Sequence, residues 1–118
     1  MIKRYAGSSI WSQDLNNLLP FYRDTLGLKP SLESPEFVVL GDANAPNLAL
    51  GTHSEVKGKN SEGPRHMVGV ETDDVEAEFQ RLKSQGVDFV DPPTDFGGVK
   101  IATCKDPEGN YVQIIQFS

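Results

Sequence analysis

Cysteine is nearly missing from this chain: Cys104 is the single one in 118 residues, so no internal disulfide can form. Basic clusters are missing too. Lys and Arg number 11 against 17 Asp and Glu, a net charge of -6, and nowhere do they gather as a phosphate backbone would require. Nucleic acid is therefore not expected as a partner, whereas a neutral or cationic small molecule is compatible with the charge. No apolar run approaches the ~20 residues needed to cross a bilayer, and Met1-Ile-Lys-Arg-Tyr5 lacks the apolar stretch of a secretory signal. The expectation is a cytoplasmic protein without membrane contact. The chain also has no Ser-His-Asp spacing, nucleophile elbow or glycine-rich phosphate cradle before a helix. Cys104, between Thr103 and Lys105 in an expected strand, reads as a half-buried structural thiol. The acidic residues Asp73, Asp74, Glu76 and Glu78 fall at an expected helix start, where they complement the helix dipole.

What the chain does contain is a repeat. Asp14 and Asp74 each follow a strand-like run and open a helix-like one, 60 residues apart; Asp42 and Asp106 each sit in a turn before a last apolar strand, 64 apart. At the first offset Ile10 matches Val70 and Leu19 matches Phe79; at the second, Leu48-Ala-Leu50 matches Val112-Gln-Ile114. A unit of about 60 residues therefore occurs twice. Each copy reads as β-α-β-β-β, which gives an α+β fold of two tandem βαβββ modules with concave mixed sheets. Module one covers about 1–53, an exposed polar linker about 54–64, and module two about 65–118.

In the first copy, residues 5–11 form a strand and Asp14 caps a helix carrying Leu15, Leu18, Leu19, Tyr22 and Leu26, with Gly27 as its stop. Pro20 lies inside that helix and should kink it. Strands are expected at about 36–41 and 47–52. In the second copy, strand 67–72 leads to a helix ending near Gln85, followed by Gly86. Pro92-Pro93 and Gly97-Gly98 read as loop punctuation before a strand at about 99–104, and the turn Asp106-Pro-Glu-Gly-Asn110 leads into the last strand, 111–117.

Ser12-Gln-Asp-Leu15, Phe21-Tyr-Arg-Asp-Thr-Leu-Gly-Leu28, Val70-Glu-Thr-Asp-Asp-Val75 and Asp106-Pro-Glu-Gly-Asn110, taken with the repeat, resemble the vicinal oxygen chelate superfamily. That group includes glyoxalase I, extradiol dioxygenases, fosfomycin resistance enzymes and bleomycin resistance proteins. The resemblance spans essentially the whole chain and is specific for fold rather than activity. It implies that modules pair, within a chain or between chains, and hence a homodimer for a chain this small.

In metal-dependent members the ligands lie on the first and last strand of each copy, which places them here at Gly7, Ala49, Met67 and Gln113. Gly7 and Ala49 have no donor, and the Met67 thioether is poorly matched to oxygen-preferring or borderline metals. Only Gln113 could bind a hard ion, against the roughly three protein ligands of a catalytic site. His66 precedes the Met67 position by one residue, so a regular strand points it away; a bulge near Arg65 would turn it back beside Gln113. His53 shares the parity of Ala49 but ends its strand, as a rim residue or, with a loop folded over, a pocket residue.

Two functions are consistent with these residues. The first is a metal-free protein without cofactor, binding a small aromatic or cationic compound on the concave face at Trp11, Met67, Tyr111 and Gln113. The second is a metal-dependent lyase, isomerase or dioxygenase with ligands displaced to His66 and Gln113. A metal-free enzyme acting through a tyrosine or glutamate is a third. Trp11 and Tyr111 could equally fill a core or a dimer contact.

Overall fold

The structure, a computed structural model, describes residues 1–42 and 44–117. It divides into two compact units, residues 1–59 and 60–118, each built on one four-stranded mixed sheet.

The first unit contains β1 (Gly7–Ser12), β2 (Pro30–Ser34), β3 (Phe37–Leu40) and β4 (Asn47–Thr52), in the order β1-β4-β3-β2. β1 runs parallel to β4 and the other pairs are antiparallel. Alternation along the strands buries Ile10, Val38, Leu40, Leu48 and Leu50 on one face, where Leu15, Leu18, Leu19, Phe21 and Tyr22 of the helical segment are also buried. The expected single helix is two pieces, a 3-10 turn at Leu15–Asn17 and a π-helical segment at Pro20–Thr25. Pro20 is the cause: it has no N–H to give and its ring would clash with the carbonyl four residues earlier, so the helix ends and restarts with proline in its first position. The restarted segment closes with Leu28 N–H donating to the Tyr22 carbonyl (3.1 Å) across Gly27, at φ 80°.

The second unit contains β5 (Met67–Glu71), α1 (Val75–Ser84), β6 (Asp88–Asp95), β7 (Val99–Lys105) and β8 (Tyr111–Phe117), in the order β5-β8-β7-β6 with β5 parallel to β8. Val75 and Leu82 of α1 are buried, as are Ala102, Cys104, Val112 and Ile114 of the sheet. Phe79 of α1 meets Phe89 of β6 edge-on, with ring centroids 4.7 Å apart.

Both units contain a strand that was not located from the sequence, β2 and β6. Each is an edge strand, and each carries proline, at Pro30 and at Pro92-Pro93. An edge strand has one side free of ladder bonds, so the missing N–H is tolerated there. Pro92-Pro93 is thus part of a strand rather than a loop.

The repeat extends to the ends of the helical segments. Ser12 Oγ accepts from Asp14 N–H (3.1 Å) and Thr72 Oγ1 from Asp74 N–H (3.2 Å). Asp14 accepts from Asn16 N–H (2.9 Å) and Asp74 from Ala77 N–H (3.0 Å). From the last strand of each unit, Thr52 Oγ1 accepts from Leu15 N–H (2.8 Å) and Gln116 Oε1 from Val75 N–H (2.9 Å). Groups at a helix start that would otherwise lack partners are satisfied by the same device twice.

Candidate ligand-binding site

In the second unit the sheet face opposite α1 carries a cavity of about 320 Å³, lined by Met67, Asp91, Phe96, Ile101, Thr103, Tyr111 and Gln113. The register explains the convergence. Met67 pairs with Tyr111, Gly69 with Gln113, and Gln113 with Thr103 on the other side, so residues of one parity from three strands share the face.

Three of the four residues expected at the site, Met67, Tyr111 and Gln113, therefore line one cavity. The Gln113 amide makes no hydrogen bond among the described residues and is available to a ligand. Tyr111 is placed by Gly63, which is buried at the start of a 3-10 turn, Gly63–Arg65. Any Cβ on Gly63 would overlap the Tyr111 ring, so glycine there lets the ring lie against the backbone. The turn Asp106 to Asn110 anchors the start of β8. Buried Asp106 accepts through Oδ1 from the N–H groups of Glu108 (2.8 Å) and Asn110 (2.9 Å), and through Oδ2 from Asn110 Nδ2 (2.8 Å).

Trp11, the fourth expected residue, belongs to the first unit and is 38% exposed on β1. Its ring lies over Gly51, where a Cβ would overlap it, stacks on Phe37 with centroids 5.9 Å apart, and meets His53 edge-on at 5.7 Å. Its Nε1 donates to Ser9 Oγ (2.9 Å). His53 is exposed, and its Nδ1 accepts from Glu55 N–H (3.1 Å).

The two first-unit positions expected, from the resemblance, to match metal ligands carry Gly7 and Ala49, paired through β1 and β4 to Asn47 and Ser9. In the second unit they carry Met67 and Gln113. This donor set does not fit a catalytic divalent ion. His66 is exposed just before β5, outside the cavity lining, and the β5–β8 register runs without a shift beside it. Among the described residues no three His, Cys, Asp or Glu side chains come together as a metal site.

Cys104 is fully buried on the α1 side of β7, deeper than the half-buried position expected of it. Burial, then the nearby carboxylates of Asp106 and Asp88, pushes the thiol from 9.0 up to about 12, which leaves it inert. Four lining residues, Asp91, Phe96, Ile101 and Thr103, were missed by sequence reasoning, the last two inside the strand expected at about 99–104. Phe96, 65% exposed, stood in a segment read as loop, and Asp91 stood beside prolines read as loop punctuation.

A model of the Glyoxalase/Bleomycin resistance protein/Dioxygenase superfamily matches residues 2–114. The chain belongs to that superfamily. It is 34% identical to the uncharacterized protein YurT of Bacillus subtilis, over 92% of this chain and 95% of YurT. Among solved structures it is similar to a protein of unknown function from Agrobacterium tumefaciens, with TM-score 0.80 at 20% identity over 100% of this chain and 97% of that one. It is also similar to a glyoxalase/bleomycin resistance protein/dioxygenase from Nocardioides, with TM-score 0.75 at 21% identity over 99% and 85% of the two chains. At these identities both structures speak for the fold. No helix among the described residues is long and apolar enough to cross a membrane.

Proposed function

We propose that this chain is a metal-free binding protein of its superfamily that holds a small aromatic or cationic compound in the cavity of the second unit. The observation that carries this reading is the convergence of Met67, Tyr111 and Gln113 on one cavity with an uncommitted amide at its wall. At about 320 Å³ it lies near the lower end of the roughly 300–1,000 Å³ common for small-molecule sites, so the ligand is small. Apolar and aromatic walls from Met67, Ile101, Phe96 and Tyr111 supply contact area, and Gln113 and Thr103 supply orientation. The donor-poor positions Gly7, Ala49 and Met67 favour an organic ligand over a metal.

Saturation-transfer NMR with a panel of small aromatic compounds tests the proposal. Binding is expected, and Gln113→Leu should weaken it with the melting temperature retained, because the ligand's own polar group would be left without its partner, at about 1–3 kcal/mol. Normal binding by Gln113→Leu would move the site elsewhere. Metal analysis of protein purified without chelator should find well under one equivalent of Zn, Ni, Mn, Fe or Co. Stoichiometric metal that survives dialysis and is lost in His66→Ala would sink the metal-free reading. A homodimer in the cytoplasm completes the proposal, and sedimentation at micromolar concentration should give twice the mass of one chain.

A further inference from the structure

Asp91 faces the cavity because the strand that carries it is irregular. Phe89, two residues earlier on β6, packs against Phe79 of α1 on the opposite side of the sheet. In a regular strand residues two apart share a face, so Asp91 would be directed into the α1 side, among Cys104, Ala102 and Leu82. The pairing shows why it is not. Phe89 opposes Cys104 and Asp91 opposes Thr103, so two steps on β6 match one on β7, a bulge between them. A second shift lies between Asp91 and Thr94, across Pro92-Pro93. Bulges re-aim side chains, and this one brings a carboxylate to Thr103 on the cavity face.

That carboxylate has no hydrogen bond or ion pair among the described residues. It is also the one charged group among the side chains that line the cavity; Glu71 and Lys105 share the face by parity but do not line it. At the open edge of a mostly apolar recess, the exposed Asp91 carboxylate repels carboxylates and phosphates and attracts cations, with a strength that solvent and salt reduce. Phe96 and Tyr111 on the same walls are aromatic, and aromatic rings attract cations at their faces.

We propose that the ligand of this cavity carries a protonated amine, which pairs with Asp91 while its apolar body rests on Met67, Ile101 and the rings of Phe96 and Tyr111. This rests on the small-molecule reading above and names the ligand's chemical class. Naphthylmethylamine, naphthylmethanol and naphthoate share one ring system and differ in charge, so their dissociation constants, measured by calorimetry on the full chain at low salt, separate ring from charge. The amine is expected to bind roughly three- to tenfold more tightly than the alcohol, the size of a partly exposed ion pair, with naphthoate weakest. Asp91→Asn should abolish the amine's advantage, bringing its affinity to that of the alcohol measured on the same variant, with a melting temperature close to the parent. Equal affinities for amine and alcohol in the parent, or an amine preference that survives Asp91→Asn, would overturn the amine assignment and leave the cavity standing. Binding of none of the three would overturn both, as would binding of all three that Gln113→Leu does not touch.

Discussion

Replacing Asp106 by asparagine removes one charge and almost no volume, yet it should destabilise the second unit for a reason of direction. The Asn60 amide oxygen accepts from Glu62 N–H (2.8 Å), Asn60 Nδ2 donates to Asn110 Oδ1 (3.0 Å), and Asn110 Nδ2 donates to Asp106 Oδ2 (2.8 Å). This line of amides can run one way only, because it begins at a backbone donor and ends at an oxygen that can only accept. In Asp106→Asn the Oδ1 atom stays with Glu108 and Asn110 N–H, and an NH₂ group then confronts the NH₂ of Asn110. Flipping Asn110 moves the clash to Asn60, and flipping Asn60 moves it to Glu62. One bond is lost wherever the mismatch settles, at about 1–2 kcal/mol. Asp106→Ala removes all the acceptors and leaves two backbone N–H groups of nearly buried residues without them, at about 3–5 kcal/mol. Thermal denaturation followed by circular dichroism should show midpoints lowered by about 4–8 °C and 12–20 °C, at roughly 4 °C per kcal/mol for a domain of this size. The decisive measurement is the cycle with Asn110→Ala, which removes the group that clashes. In that background Asp106→Asn should cost less than half as much. An undiminished cost there, or none in the parent, would refute the directional argument.

Gly51→Ala should expel the Trp11 ring from its seat, red-shift the emission of the chain's only tryptophan, and cost about 1–3 kcal/mol as overpacking does. Gly63→Ala should displace Tyr111 in the same way and weaken whatever aromatic probe the cavity binds; equal affinity would show that Tyr111 does not contribute. Cys104 should resist a thiol reagent at pH 8 in the native protein and react fully in denaturant. Its native value, about 12 against an ordinary 9.0, means that above pH 9 the unfolded chain loses a proton that the folded chain keeps. Stability should therefore fall between pH 9 and 12, by up to about 1.4 kcal/mol per pH unit from this one group, and this component should be missing in Cys104→Ala.

Elements whose signals are local were legible in the sequence. Asp14 caps where expected, Asp74 proves to be the cap among the acidic pair Asp73-Asp74 at the second helix start, Gly27 and Gly86 follow the helical segments at φ 80° and 86°, and the last strands lie within a residue or two of their expected bounds. Position within a sheet was not legible. Pro30 and Pro92-Pro93 break a central strand but not an edge, and composition does not say which strand will be an edge. The cavity residues Met67, Tyr111 and Gln113 followed from counting parity along regular strands. Asp91 could not follow from that count, since a bulge inverts it. A signal exists only once Phe89 is placed on the α1 side: regular alternation from it would put the Asp91 carboxylate in an apolar interior, unpaired. Such a conflict is itself a reason to expect an irregular strand.

The bonds from Thr52 to Leu15 and from Gln116 to Val75 join residues 37 and 41 positions apart. On a ribosome this imposes a schedule. Each helical segment emerges early with its local Asp cap, but its first N–H group finds no partner until the last strand of its own unit has followed, and the parallel pairing of β1 with β4 waits for the same residues. The first half holds all the partners for its own closure by residue 52, before any strand of the second has been made. Nascent chains arrested far enough along for β4 to have left the exit tunnel should thus already protect Leu15 N–H from solvent exchange, whereas chains with β4 still enclosed should not, however complete their helix is.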